Sequence, residues 1–572
     1  MPTSTTNLGL LKPTPGENLP LNDPSNWGDD LNQNFDTIDA KFNRIFYSSS
    51  YADVNAAITA IGATNATLVV QENFPVSSTV VAPPNISWRP EGQGQISPAT
   101  GVVLTIQGPF YSPSTKTLNP VGSENGVIFG GVAPEYIRPE WWGMSVASSG
   151  ATNKTALQQA IDSVTSIGGG VIQLGPGVFL KNPGTNIRSG IHIVGSAFSS
   201  VLKIPDNHNV QENLLKAESV SNVSISNVRV DGNRANQTQT NYGIFFSSCT
   251  DGKITDCYAE NFSGDGIHVY NSDRPIVTNN TSTNNFFHGI EIEQCRGGST
   301  SNNRSFANLR HGIYVFEGEV GASGTIGHSI TANELSGNSQ YGLAVQGPLT
   351  RNVTVSENII RDNLQYGAAI FDTGEGVIFS NNQVFNNQFH GVYLFRSSYC
   401  SIRGNHVSNN SQAGNGSYVE VLIDGDATRR PTGNKVLNNT IRITGATKAS
   451  WAIKENTSSD GPNDIRGNTV DTGTVGTISV LNTGSQANSN VGYVTENRGT
   501  LIGSGNGATV LFVFPHGLHK APASLNVTPM SSDAKGEFYA TADASNIAVT
   551  YTVAPPTGTG NVSLGWMAET DN

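Results

Sequence analysis

The 572-residue chain is poor in charge: Asp, Glu, Lys and Arg make up only 13% of it, against about 25% in an average soluble protein. That excludes a coiled-coil rod and a charge-rich disordered scaffold, which need more charge and less apolar content. Positive charge is scarcest, with 32 Lys plus Arg against 44 Asp plus Glu and a net charge of −12. A nucleic-acid partner is therefore not expected, because binding a phosphate backbone needs a basic surface. Cysteine is nearly missing: Cys249, Cys257, Cys295 and Cys400 are all there is. Four in so long a chain make no disulfide framework, and their spacing fits no zinc pattern. They read as buried free thiols. No run approaches the roughly 18 apolar residues of a membrane helix, so no membrane insertion is expected. The opening MPTSTTNLGLLKPTPGENLP lacks the basic and apolar regions of a signal peptide.

Glycine is abundant instead, at 63 residues. Seven segments align on one: Gly243, Gly266, Gly289, Gly312, Gly342, Gly367 and Gly391, at steps of 23, 23, 23, 30, 25 and 24. A second series runs in phase through Asp256, Asn280, Asn303, Asn333, Asn358, Asn382 and Asn405. Most members have another Asn five residues on, from Asn261 and Asn285 to Asn410. After each Gly the pattern alternates, as in Ile290 and Ile292 against Glu291 and Glu293, which is the period of a strand. Units of 23–25 residues, each with two or three short strands, cannot bury an apolar face unaided and must stack. Asn at equivalent turns tolerates left-handed backbone and can hydrogen-bond along the stack. The fold class expected is all-β: a right-handed parallel β-helix solenoid with a short N-terminal helical segment and a small C-terminal β-sandwich-like domain.

Four segments follow. Residues 1–50 contain an amphipathic helix over 22–46, with a Leu31, Phe35, Ile38, Phe42, Ile45 seam that suits either packing on its own domain or a short trimeric coil. Residues 51–143 form a β region with Pro and Gly punctuation. Residues 144–498 hold the solenoid and a helix over 154–166, capped by Asn153 and ended by Gly168–Gly170, which would cover the solenoid's open edge. Residues 499–572 carry at least four alternating strands.

NLGLLKPTPGE followed by NWGDDLNQNFDTIDAKF resembles the virion-attachment start of bacteriophage tail fibre and tailspike proteins. YIRPEWWG and GGGVIQLGPGVFL resemble the pectate-lyase-like entrance of tailspike β-helices, and HGL with SSDAKGEFYATADASNIAVTY and APPTGTGNVSLGW resembles a C-terminal β domain of phage tail proteins. The resemblance implies a homotrimer on the virion, joined to a tail or baseplate protein through its N-terminus. It also implies binding, and usually degradation, of a bacterial capsular, exo- or lipopolysaccharide. It supplies no catalytic residues.

Those come from the outward columns, where consecutive rungs lie about 4.8 Å apart. Two residues after each Gly the column reads Phe245, His268, Glu291, Tyr314; four after, Ser247, Tyr270, Glu293, Phe316; just before, Tyr242, Asp265, His288, His311. Aromatic rings offer flat platforms to sugars, and carboxylates bond hydroxyls or transfer protons. Glu291 and Glu293 project from one strand with Cα atoms roughly 6.6–6.8 Å apart. Their carboxyls can span about 5 to 9 Å, covering retaining and inverting glycosidases. Mutual repulsion should raise one pKa. Asp265, on the preceding rung, is the alternative second carboxylate. Glu291, Glu293 and Asp265 are thus the catalytic candidates for glycosidic hydrolysis. His268, Tyr270, His288, His311, Tyr314, Phe316 and Glu317 are the candidates for substrate binding. A lyase would instead use His288, His311 or Tyr314 as base and Arg296 or Arg310 as the cation facing a uronate. A lectin-like tail protein would use the same groove without chemistry. No cofactor and no metal are expected, since the Asp clusters that calcium needs are missing.

Overall fold

The computed structural model describes residues 3–4, 11–12, 44–120, 126–131, 134–317, 324–457 and 460–571. The helix expected over 22–46 lies almost wholly outside them. Its last seam residue, Ile45, belongs instead to a strand, Ile45–Tyr47. The chain divides into two compact units, Met1–Tyr258 and Ala259–Asn572.

In the first unit the segment expected as a plain β region is already coiled in parallel rungs. Ile45–Tyr47, Ala66–Val70 and Ile86–Pro90 pair in parallel. So do Asn73–Val76 with Gln95–Pro98, and Leu104–Ile106 with both Val80–Ala82 and Val127–Phe129. A helix that the sequence reading missed, α1 (Val54–Ile61), starts where Asp53 accepts a hydrogen bond from the Ala56 amide.

The second helix, α2, spans Gly150–Asp162 rather than 154–166. Its cap is Ser149, whose hydroxyl accepts from the Thr152 amide. Asn153 is buried and bonds the Ser145 amide and the Ser145 and Leu180 carbonyls, so it fastens the helix instead of starting it. Beyond the helix the chain tightens into a 3-10 turn, Thr165–Ile167, closed by Gly168 at φ 90°. The edge strand Gly170–Gln173 is met on its outer side by a parallel bridge from Ile137 to Ile172. The helix covers the other two first strands: Gln158 bonds the Asn186 amide and carbonyl in Thr185–Ile187, and Asn153 bonds the Leu180 carbonyl in Gly177–Leu180.

From Gly170 onward three parallel sheets of twelve strands each make the right-handed solenoid. A rung in the second unit reads Ile290–Glu293, Ser299–Ser301, Arg304–Phe306. Ile267, Ile290, Ile313, Leu343, Ala368, Val392 and Val421 share one register and are all buried. Each buried Ile or Val contributes roughly 1.5–3 kcal/mol relative to exposure, so the inward stack holds the coil together.

The glycine period comes from close approach. A Cβ on Gly289 would sit 1.9 Å from Ser305 Oγ, 2.7 Å from Asn308 Nδ2 and 2.8 Å from the Gly312 carbonyl oxygen. The asparagines form two buried ladders. Asn280, Asn303, Asn333, Asn358, Asn382, Asn405, Asn439, Asn468 and Asn490 each pass a side-chain bond to the next, and Asn285 to Asn410 do the same at the other turn.

One detail of the sequence reading is corrected. The left-handed residue is the one before each ladder Asn, as at Asn279, Asn284 and Asn302. Asp256 and Asn261 are such left-handed residues, one position out of phase with the ladders. All four cysteines are free and buried.

The second ladder ends on a carboxyl: the Asn410 amide and Nδ2 both donate to Glu420, at 3.0 and 2.6 Å. Burial pushes this acid up to about 8, against the bonds from Asn410. Because the folded-state pKa lies above the unfolded one, its contribution is complete below the ordinary carboxyl pKa and is lost as pH rises through about 8. Urea midpoints should accordingly fall between pH 6 and pH 9, and Glu420→Gln should flatten that decline; an unchanged slope would remove Glu420 as its source.

The last segment forms two three-stranded antiparallel sheets. One holds Glu496–Gly505, Gly558–Glu569 and Ser524–Pro529; the other holds Leu511–Pro515, Asn546–Tyr551 and Phe538–Ala542. They enclose a core that includes Phe514, Ile547, Val549, Val562 and Leu564. Among the described residues no helix is long and apolar enough to cross a membrane.

Candidate active site

Strands Ile267–Tyr270, Ile290–Glu293, Ile313–Phe316 and Leu343–Gln346 lie side by side in one sheet. His268 is opposite Glu291, which is opposite Tyr314; Tyr270 is opposite Glu293, which is opposite Phe316. Period two puts all six on the outer face while Ile267, Val269, Ile290, Ile292, Ile313 and Val315 fill the interior. The strip is built by register, from residues more than twenty positions apart.

His268 is the hub. Its Nε2 lies 3.1 Å from Glu293 Oε2, and its Nδ1 lies 3.4 Å from Asp265 Oδ2 and 3.7 Å from Glu291 Oε2. The sequence reading took His268 for a sugar ligand; the structure places it between three acids, with 7% of its surface exposed. Asp265 is no open groove acid either. It is buried, and its Oδ1 accepts from the His288 amide at 2.8 Å, so it is held in place by the next turn.

The charges follow from these contacts. Burial disfavours a charged His268, but Asp265, Glu293 and Glu291 outweigh it and raise the imidazole to about 10. Burial likewise pushes Asp265 up, and its bonds with His268 and Glu291 overcome that to hold it at about 2. Glu291 goes the other way: burial first, then the Asp265 charge, lift it well above the usual carboxyl range. At neutral pH Asp265 is ionised and His268 is a cation, while Glu291 holds its proton far more tightly than an ordinary carboxyl. The carboxyl that separates Glu291's proton affinity from its own is chiefly Asp265, not the Glu293 expected from the sequence.

The remaining candidates divide. Burial holds His288 at about 4 and His311 well below its ordinary value, so both rings are neutral. Their Nδ1 atoms accept from the His311 and Tyr341 amides at 3.4 and 3.3 Å. His288, His311 and Tyr341 stack with centroids 4.8 and 4.4 Å apart. Tyr314 lies 4.6 Å from His288, stacks on Phe316 at 5.2 Å, and donates its hydroxyl proton to Gln346 Oε1. Burial raises that phenol above its usual range.

Glu317 is a correction. It is buried, and its Oε2 accepts from the Leu349 amide at 2.6 Å, so it staples a turn and does not face a ligand. Arg310, the possible lyase cation, is stacked over Phe287 at 4.4 Å. Gln346, which continues the outward column four residues after Gly342, was not among the site candidates. Asp265, His268 and Glu291 also offer three ligand atoms within 4.8 Å of one another. Binding a metal there would first displace the protons on His268 and Glu291.

The profile of a right-handed β-helix region matches residues 177–330 and 319–470, together half of the sequence. The chain belongs to the right-handed β-helix family. Among curated proteins this β-helix is similar to two mannuronan C5-epimerases of Azotobacter vinelandii. AlgE5 is 26% identical over 367 residues, covering 58% of this chain and 35% of that protein. AlgE2 is 27% identical over 337 residues, covering 52% and 32%. The chain thus spans about a third of the length of these relatives.

Among solved structures, the AlgE6 A-module of Azotobacter vinelandii superposes with a TM-score of 0.56 at 21% identity, covering 62% of this chain and 98% of that chain. The tailspike gp61 of Pseudomonas phage phi297 gives 0.55 at 12%, covering 77% and 100%. The Dettilon tailspike gp208 gives 0.52 at 14%, covering 76% and 94%. At these identities the likeness is one of fold. That fold is shared by phage tailspikes and by enzymes named for a polysaccharide substrate.

Proposed function

We propose that this β-helix is a phage tailspike that binds a bacterial surface polysaccharide along its outer sheet and hydrolyses its glycosidic bonds. One observation carries the reading: Glu291 stands half-buried on the outer face beside Asp265, where burial and the Asp265 charge favour its protonated form. A protonated carboxyl is what a leaving glycosidic oxygen needs. In this reading Glu291 is the general acid and Glu293, projecting two residues along the same strand, is the base or nucleophile. Asp265 and His268 are positioning residues, because Asp265 is too buried to touch a sugar. Tyr270, Tyr314 and Phe316 supply the platform. The resemblance of the terminal segments to tailspike proteins supplies the setting: a homotrimer on the virion, attached through residues 1–50 to a tail or baseplate protein.

A second reading, proton abstraction at C5 of a uronate, is favoured by the mannuronan epimerase relatives and by the neutral His288 beside Tyr314. On that strip His268 is engaged by three acids, and Arg310 is stacked over Phe287.

Incubating the protein with purified host polysaccharide separates the readings. Hydrolysis releases reducing ends without ultraviolet absorbance. An unsaturated uronate marks a lyase, and deuterium gained from heavy water without new ends marks an epimerase. No change in the polymer, together with tight binding, leaves an adhesin. For the assembly, light scattering should return three chains per particle; a mass near that of one chain would refute the trimer.

A further inference from the structure

The first unit contains a cavity of about 790 Å³ that shares no residue with the acid cluster. Its size falls within the roughly 300–1,000 Å³ of small-ligand sites. The parallel rungs build it. Trp88 bridges Phe110 in parallel, with the Trp88 amide donating to the Pro109 carbonyl and the Tyr111 amide to the Trp88 carbonyl, both at 2.8 Å. Period two then turns Phe110 inward, edge-on to Trp141 at 5.1 Å, and leaves Tyr111 outside with 63% of its surface exposed. Next to the buried Ile137, Tyr136 faces out in the same way, 40% exposed, with the Arg138 guanidinium 5.0 Å from its ring.

Pro90, Pro109, Pro113 and Pro134 stand in the walls. Each fixes its backbone φ and removes an amide donor, so the walls are apolar and preorganised. At the rim Arg89 pairs with Glu91 at 2.8 Å, and Glu135 stands free of that pair. The result is two exposed aromatic faces, an indole floor, and a few polar groups at the rim, the Arg89–Glu91 pair and Glu135.

We propose that this cavity is a second, non-catalytic saccharide site that takes a neutral stretch of glycan. A pyranose ring presents an apolar C–H face to a tyrosine and hydroxyls at its edge to carboxylates and a guanidinium. Glu135 is the one rim acid outside the Arg89–Glu91 pair, which disfavours an anionic glycan. The inference goes beyond the cleavage reading and does not depend on it.

Saturation-transfer NMR with cellohexaose, maltohexaose and chitohexaose tests it on the full chain. At least one of the three should bind. Tyr111→Ala and Tyr136→Ala should each weaken that binding about tenfold, roughly 1.4 kcal/mol, whereas Tyr111→Phe keeps it. Both tyrosines are exposed, so the variants should fold, and cleavage of polysaccharide by the Glu291 site should be unchanged. The proposal is overturned if none of the three sugars binds, if binding survives the double alanine variant, or if a proline-rich peptide binds in their place. Loss of cleavage activity with this binding intact would count against the hydrolase reading alone.

Discussion

Glu291→Gln should reduce bond cleavage by about 10²–10⁴-fold, the usual contribution of a positioned general acid, while oligosaccharide affinity changes little. The amide keeps the size and outward direction of the side chain but has no proton of suitable acidity to give. The high-pH limb of the wild-type rate should lie well above the pH at which an ordinary carboxyl titrates, because the pKa of Glu291 is raised.

Asp265→Asn is the sharper test. Removing the charge that helps to hold the Glu291 proton should move the alkaline limb to lower pH, an outcome that mere loss of packing would not produce. Glu293→Gln should also abolish turnover if that residue is base or nucleophile. Full activity in both Glu291→Gln and Glu293→Gln would sink the site assignment.

The second large effect concerns stability, and it sets adjacent asparagines against each other. Asn285 is buried: its Oδ1 accepts from the Phe262 amide, and its Nδ2 donates to Asn308 Oδ1 and Ser282 Oγ. Asn285→Ala strands the Phe262 amide and removes two further bonds. An unmet buried polar group costs about 1–3 kcal/mol, so the loss should reach about 3–5 kcal/mol. Asn284 is exposed and sits at φ 56°. Asn284→Ala forfeits only a side chain tolerant of that backbone, about 1 kcal/mol. Urea midpoints of the two variants decide the matter, and equal losses would contradict the ladder as a source of stability.

Much of this was legible in the primary structure. The glycine steps revealed the rung length because an added Cβ at positions such as Gly289 has nowhere to go. The Asn series revealed the turns because a ladder demands the same side chain on every rung. Alternation placed Glu291 and Glu293 outward. Where the residues were less constrained the reading slipped. α2 begins four residues early because Ser149 competes with Asn153 for the cap. The parallel rungs before residue 143 carry no Asn or Gly repeat to announce them.

The chemistry of the strip was only half legible. Columns said which side chains could meet; they could not say that Asp265 is locked by the His288 amide, that His268 bridges it to Glu293, or that Glu317 holds the Leu349 turn. Local sequence determined the rung, the direction of each side chain and the buried stack, since those depend on period and on steric room within one repeat. Only the tertiary structure decided which acid keeps its proton. That depends on desolvation and on charges brought within a few ångströms by residues a full turn of the coil apart, and neither quantity exists until the rungs are stacked.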